Sequence, residues 1–450
     1  MCSPVERWIG ALLLVAAATL SHAQSCPPAL PAQGAMPPGP LPVFPSTNWW
    51  NLDIRSAPVD SNSSTFIAFI SPTRRLHPDF GGEESPGSVN VYGMPYLVVG
   101  ANQPKVAVTF LYQSQSDGVD HTTGLSFPFY PIPPEAVTQP HWIEGGPAGN
   151  VDLRNSNDRH LLIIDCVNKH LYELYNVYYS TTQGRWLAGS GAFFDMNING
   201  RRPEGWTSAD AAGLAIFPGL VRYDEAWNAA VTDIGHALRV TVRATNGYVY
   251  PASHVAGSTA GALPLGARLR LKALVNGQDP ALRSGDPNVR KIFRAMQKHG
   301  LIVADNGSDM YVTGTFDARW NNDILNPAFA LLTTADFEVI QLGWSPPSGA
   351  PTLTALEVAP GSVSAGAPAV GTVSLDAPAP AGGTTVALSS SNNALASLPA
   401  QVLVAAGQTS AAFSIATSAG IRAVDRSAAV TIRATLGGVS QTAVLVVLRR

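Results

Sequence analysis

Short runs of β-branched and aromatic residues, each closed by turn-forming residues, dominate this chain and leave little room for helices. Between residues 96 and 316 they read YLVVG, KVAVTFLY, HLLIID, LYELYNVYY, LRVTVRA, ARLRLKALV and MYVTGTF. Such side chains fit a pleated, half-buried surface, and the Gly, Pro, Asn and Asp between them supply turns. Helical signals are confined to two segments. Residues 60–70 begin with Asp60 or Ser61 as a cap. Residues 286–300 have Asp286 as N-cap, Pro287 at the first position, Val289, Ile292, Phe293 and Met296 at helical spacing, and Gly300 as the stop. The expected fold is mostly β: a jelly-roll-like or double-sheet main domain with a few short helices, then a small immunoglobulin-like β-sandwich, without parallel βαβ repetition.

The 450 residues exceed one typical domain. Residues 1–23 read as a signal peptide: Arg7 gives a weak positive start, WIGALLLVAAATL is the apolar stretch, and Ser21, His22 and Ala23 form a small-residue boundary before Gln24. That stretch is short against the ~20 apolar residues that span a bilayer, so no stable membrane insertion is expected after cleavage. The residues around Cys26 (AQSC) lack the Leu of a lipidation site. A proline-rich arm follows over 24–45, then the main domain over 46–344 and a linker, SPPSGAP, over 345–351. Residues 352–450 contain no Trp, Tyr, His or Cys, and Phe413 is their one aromatic. Their runs TVALSS, AAFSIAT, AVTIRAT and AVLVVL alternate apolar with small polar residues, the pattern of an antiparallel sandwich. The expected location is secreted or periplasmic.

The balance of 28 basic and 31 acidic residues gives a net charge of -3 without a basic run, which argues against nucleic acid as a partner. Of three cysteines, Cys2 leaves with the leader. Cys26 and Cys166 either pair in an oxidising compartment or remain two free thiols.

Charge is scarce, at 13% of residues, yet His160, Asp165, His170, Glu173, Glu204, Asp210, Asp224 and Glu225 fall close together among aromatics. HLLIID and HLYELYNVYY read as a hairpin around residues 166–169. Pairing Asp165 with His170 sets Leu162 opposite Glu173 and places His160, Glu173, Tyr175 and Tyr179 on one face. A carboxylate, an imidazole and two phenols there suggest a groove that binds or cleaves glycans. Glycoside hydrolysis needs two carboxyl groups. Glu173 is the first candidate and Glu225 its favoured partner, with Asp210 or Asp224 as alternatives and His160 assisting. Tyr175, Tyr179, Trp206 and Asp224 are candidate substrate contacts. In the competing reading Glu173 pairs with Arg159 or Arg222 and the tyrosines simply pack.

In GWTSADAAGLAIFPGL, Thr207 or Ser208 can cap a short helical turn with Asp210 at its exposed start. Ser208 lacks the GxSxG setting of a nucleophile. His160, His236 and His254 are not linked by a metal motif, so neither metal nor cofactor is expected. ADNGSD at 304–309 is either a calcium loop or an ordinary turn.

The segments NWWNLDI, RLHPDFGG, NDRHLLIID, LYELY, GWTSADAAGLAIFPGLVRYDE and ADNGSDMYVTG resemble a group of secreted bacterial proteins labelled hypothetical. The likeness covers most of residues 44–344 and implies a shared fold without transferring an activity. The last hundred or so residues, with PGSVSAG and QTAVLVVL, resemble bacterial immunoglobulin-like modules. That likeness implies a spacer or cell-surface adaptor. The functional expectation is an extracellular carbohydrate-active enzyme, a glycoside hydrolase acting on extracellular polysaccharide through paired carboxylates. The alternative is a noncatalytic surface protein that binds polysaccharide or another envelope component.

Export with leader removal makes a measurable statement. Intact-mass analysis of exported protein should give a chain starting at Gln24, and recovery solely as an uncleaved membrane-bound species would contradict it.

Overall fold

The computed structural model describes residues 26–37, 43–88, 90–145, 158–345, 351–377, 379, 383–405, 408–419, 427–436 and 439–448. The expected leader, residues 24–25 and 38–42 of the arm, and 346–350 of the linker lie outside the described residues. The fold is mostly β, built from several packed sheets with five α-helices among the described residues. The chain divides into two compact units, Met1–Trp344 and Ser345–Arg450.

In the first unit a five-stranded sheet runs Ala32–Gln33, Tyr96–Val99, Leu161–Asp165, His170–Tyr175, Ser190–Asp195. Every residue of Leu161–Asp165 is buried, because cores cover both faces of the sheet. Leu162 and Ile164 pack with Phe44, Ala215 and Phe217, while Leu161 and Ile163 pack with Val108, Tyr130 and Trp186. An unbroken apolar run is what two-sided burial requires. The hairpin has the expected register, Asp165 opposite His170 and Leu162 opposite Glu173. Asp165 holds its turn by accepting from the amides of Val167 and Asn168 at 3.0 Å each, and Lys169 takes the left-handed conformation that closes it.

The expected single face of His160, Glu173, Tyr175 and Tyr179 does not form. Asn176 adopts φ 52°, which ends the strand at Tyr175. Tyr179 therefore lies in a separate strand, Tyr178–Ser180, within the core on the opposite side of the sheet, edge-on to Trp186 at 5.5 Å.

A six-stranded sheet runs Phe337–Val339, Arg268–Leu271, Leu301–Asn306, Leu238–Val242, Tyr311–Thr313, His77–Asp79. Helix Pro287–Lys298 lays Val289, Ile292, Phe293 and Met296 into its core, with Asp286 accepting from the amides of Asn288 and Val289. Helix Ser63–Ile70 packs into that core as well, and helix Asn322–Phe329 forms without a strong sequence signal. The two central strands, Leu238–Val242 and Leu301–Asn306, are parallel, as are Tyr96–Val99 and Leu161–Asp165. Residues 208–222 connect the two cores: Ile216 and Phe217 belong to one, Leu214 and Val221 to the other.

The second unit is a two-sheet sandwich. Four strands run Leu353–Ala359, Ala369–Leu375, Ser410–Thr417, Ala396–Ser397, and five run Ser362–Ser364, Val439–Leu448, Ser427–Leu436, Thr384–Ser390, Gln401–Val404. Alternate residues such as Val386, Leu388, Phe413, Ile415, Val430 and Ile432 meet in its core. Phe413 lies across Gly371, its cross-strand partner, where any Cβ would collide with the ring.

Cys26 and Cys166 form a disulfide with Cα atoms 5.5 Å apart, joining positions separated by 140 residues. Cross-linking so long a loop removes unfolded-state entropy, and the Cys26→Ser/Cys166→Ser variant should lose about 2–5 kcal/mol of unfolding free energy. Nonreducing peptide mapping should recover the linked peptides; finding both thiols free would refute the pairing.

Candidate functional site

The five-stranded and six-stranded sheets of the first unit contribute to a cleft of about 380 Å³ whose walls include Tyr112, Tyr175, Thr207, His254, Asp305 and Asn306. Beneath it lies a group of buried charges. Arg239, in the central strand Leu238–Val242, is 3% exposed and grips Asp210 in a two-pronged pair, Nε to Oδ2 at 2.9 Å and Nη2 to Oδ1 at 2.8 Å. The same Nη2 reaches Asp305 Oδ2 at 3.2 Å, and Nη1 donates to Thr313 Oγ1 at 2.8 Å. A planar fork suits such bidentate contact.

Asp210 does not start an exposed helical turn. Residues 207–214 form bends rather than helix, with the Asp210 amide donating to Ser208 Oγ and the Gly213 amide donating to Asp210 O. Ser208 Oγ also donates to Leu214 O at 2.5 Å, so its hydroxyl is committed to the turn. The reason Asp210 faces inward is Arg239: a buried guanidinium in a central strand demands a carboxylate partner.

Glu173 is fully buried and ligated by the chain itself. Its carboxyl accepts from the amides of Ile216 at 2.9 Å and Phe217 at 2.9 Å. Burial pushes its pKa up to about 7, the two amides oppose that shift, and nearby Asp210 reinforces it. The expected competing partner, Arg222, belongs elsewhere, and Arg159 donates to the carbonyls of Val177 and Gly145. Glu173 is therefore a clamp on residues 216–217 and does not line the cleft.

Glu225 does not join Glu173 either. It is 4% exposed, receives Arg222 Nη2 at 2.6 Å and His236 Nε2 at 3.1 Å, and caps helix Tyr223–Ala226 through the Arg222 amide. Burial raises its pKa, but Arg222 and His236 outweigh burial and hold it below the usual value. Asp224 accepts from Arg222 Nε at 3.2 Å and also lies outside the cleft lining. The expected catalytic pair is thus corrected: both carboxyls fill structural roles in different cores.

His160 is 1% exposed, with Nδ1 2.5 Å from Glu144 Oε2 and Nε2 3.1 Å from Ala209 O. A carbonyl only accepts, so Nε2 carries a proton, and the carboxylate draws a second onto Nδ1. Burial lowers the pKa, yet Glu144 overrides it and raises it to about 9. His160 is an imidazolium that supports the Ala209 turn, with Tyr175 against it at 5.8 Å. Tyr175 lines the cleft. Trp206 is engaged by His121 at 5.0 Å and by the Arg202 guanidinium at 5.2 Å, so its ring already carries partners.

The cleft carboxyl that the sequence pattern did not single out is Asp305. It was legible only as part of ADNGSD, an apparent turn or calcium loop. Instead residues 301–306 are a strand, and its two acids separate: Asp305 meets Arg239, while Asp309 pairs with Arg243. Asp305 Oδ1 accepts from the Asn306 amide at 2.7 Å, and its side chain stays 24% exposed to the cleft. Burial pushes its pKa up to about 7; Asp210 adds to the rise and Arg239 opposes it. His254, also in the cleft wall, donates Nδ1–H to Ala211 O at 2.9 Å, leaving Nε2 as an acceptor. Among the described residues no group of three or more His, Cys, Asp or Glu is placed to hold a metal.

No family model matches the chain, and no curated protein matches it. Among solved structures, the crystal structure of the E. coli chaperone DraB is similar at 16% identity and TM-score 0.17, over 22% of this chain and 57% of that one. A likeness of that size carries no functional argument.

The Glu173 clamp has a pH signature. A carboxyl whose folded pKa rises from 4.5 to about 7 loses stability as pH climbs between those values, because the unfolded chain ionises first. Glu173→Gln cannot ionise, so its stability relative to wild type should improve by roughly 3 kcal/mol from pH 4.5 to 7.5. Urea unfolding of both proteins across that range measures the difference, and a pH-independent gap would rule out the buried, neutral carboxyl.

Proposed function

We propose that this protein is an exported carbohydrate-active enzyme that hydrolyses glycosidic bonds of an extracellular polysaccharide in the cleft over Asp305. The observation that carries the reading is Asp305 itself. A carboxyl with pKa near 7 reaches open space in a cleft whose other accessible groups are phenols, hydroxyls, two amides, an imidazole and the Asp158 carboxyl. Such groups match a sugar's hydroxyls and ring faces.

Asp305 is the acid: its proton passes to the glycosidic oxygen as the bond to the anomeric carbon breaks. Asp158, exposed in the same cleft wall, is the base that takes a proton from the attacking water. Burial raises the Asp305 pKa, and Asp210, bridged to Arg239, adds to the rise. Tyr112 and Tyr175 supply rings for the sugar, and Thr207, Asn306 and His254 Nε2 supply hydrogen bonds.

Export is supported by the disulfide, which belongs to an oxidising compartment. Among the described residues no helix is long and apolar enough to cross a membrane. The C-terminal sandwich, read as a bacterial immunoglobulin-like module, serves as spacer or cell-surface adaptor. A second reading, noncatalytic binding of polysaccharide or envelope material, is favoured by the 47% exposure of Tyr112 at the cleft, since stacking needs no bond cleavage.

Product release from a panel of polysaccharides separates the two. Asp305→Asn should fold normally, retain glycan binding and lose at least ~100-fold in turnover, the scale of a lost acid. Wild-type turnover should fall as pH rises through about 7, where Asp305 surrenders its proton. Glycan retention without product from the wild type would establish the binder instead.

A further inference from the structure

A second concavity, about 680 Å³, is built from the end of helix Ser63–Ile70, the segment leading into His77–Asp79, strand Tyr311–Thr313 and helix Asn322–Phe329. Three arginines line it, Arg74, Arg75 and Arg243, against one carboxylate, Asp309. Arg243 and Asp309 cancel one another. The Arg243 amide donates to Asp309 Oδ1 at 2.8 Å and its Nη1 pairs with Oδ2. The remaining reach of that guanidinium goes to the carbonyls of Phe69 and Ile70 and to the Phe69 ring at 4.8 Å.

Arg74 and Arg75 are different. Arg74 uses only Nε, on the Asp309 carbonyl at 3.1 Å, and its two terminal nitrogens have no hydrogen-bond partner among the described residues. The Arg75 guanidinium has neither a hydrogen bond nor an ion pair among them. Both residues are exposed. The groove therefore carries about two uncompensated positive charges in a chain whose net charge is -3. Beside them His77 lies against Tyr311 with ring centres 4.3 Å apart, and burial keeps that imidazole below its ordinary pKa, uncharged. Ser71, Thr73 and Asn326 add neutral hydrogen-bonding groups to the walls.

We propose that this groove is a second glycan site, selective for anionic polysaccharide. The forks of Arg74 and Arg75 grip carboxylate or sulfate groups while the His77–Tyr311 ring pair lies to one side of the sugar. A planar guanidinium matches either anion in two-pronged geometry, and rings with hydroxyl and amide neighbours suit a saccharide better than a bare ion. This inference rests on the carbohydrate reading above, and it names the substrate class as acidic.

Affinity electrophoresis and calorimetry of the full-length mature protein test it, with polygalacturonate for carboxylate, dextran sulfate for sulfate, dextran as neutral control and a single-stranded oligonucleotide as a non-saccharide polyanion. At least one acidic glycan should bind more tightly than dextran, with affinity falling as salt rises. Arg74→Ala/Arg75→Ala should weaken that binding at least roughly tenfold, the scale of losing charge-assisted hydrogen bonds. Arg75→Glu, at an exposed side chain with no hydrogen bond or ion pair among the described residues, should do the same and carries the test if the double variant fails to fold. Equal retention of dextran, binding indifferent to Arg75, or preference for the oligonucleotide would each overturn the proposal. Hydrolysis assayed on the same preparations separates the two sites. Arg75-dependent retention without any product sinks the cleft chemistry alone, whereas product with Arg75-independent retention sinks this groove alone.

Discussion

The buried pair between Arg239 and Asp210 holds the first unit together beneath its cleft. Placing either ion in the interior costs several kcal/mol, and only good geometry with further hydrogen bonds recovers that cost. Here Arg239 has two bonds to Asp210, one to Thr313 and one to Asp305. Because Asp210 belongs to the connection between two cores, its capture fixes residues 207–214 over the central strands. The chain then enters the Glu173 clamp at Ile216 and Phe217. One end of the connection is held by charge and the other by backbone amides.

That arrangement also sets the protonation pattern. Arg239 balances Asp210, and the His160 imidazolium balances Glu144. Burial pushes both Glu173 and Asp305 up to about 7, and nearby Asp210 adds to each rise. Of the two, only Asp305 reaches the cleft. The same burial thus produces a structural clamp in one place and a candidate acid in the other, and access to the cleft distinguishes them.

What could be read in the chain was whatever local chemistry determines. The hairpin register followed from Asp165 and His170 because a polar turn between two apolar runs has few alternatives. Helix Pro287–Lys298 followed from its cap and its apolar spacing, and the alternation in Ser410–Thr417 followed from burial of a single face. The misplaced residues are those whose surroundings come from distant chain. Tyr179 changes sides because Asn176 adopts a left-handed conformation that ends the strand. Glu173 finds amides more than forty residues away, and Glu225 finds Arg222 and His236 rather than the cleft. Asp305 looked like a turn residue because the parallel pairing of Leu301–Asn306 with Leu238–Val242 leaves no short-range mark.

Arginine accounting carries the distinction between structure and recognition across the rest of the unit. Arg222, Arg239 and Arg243 each have a carboxylate and further acceptors, so an incoming anion would have to displace ligands already in place. Arg74 and Arg75 sit in an open groove with unspent donors, and the nearby carboxylate, Asp309, is already neutralised by Arg243. A guanidinium that stabilises the fold is saturated by the fold; one left unsaturated contributes little to it, since an exposed charge without a partner gains almost nothing on folding. Selection for stability therefore gives no reason for two such side chains beside a ring pair. Recognition of an anion supplies one, because the missing acceptors are those a carboxylated or sulfated sugar would bring.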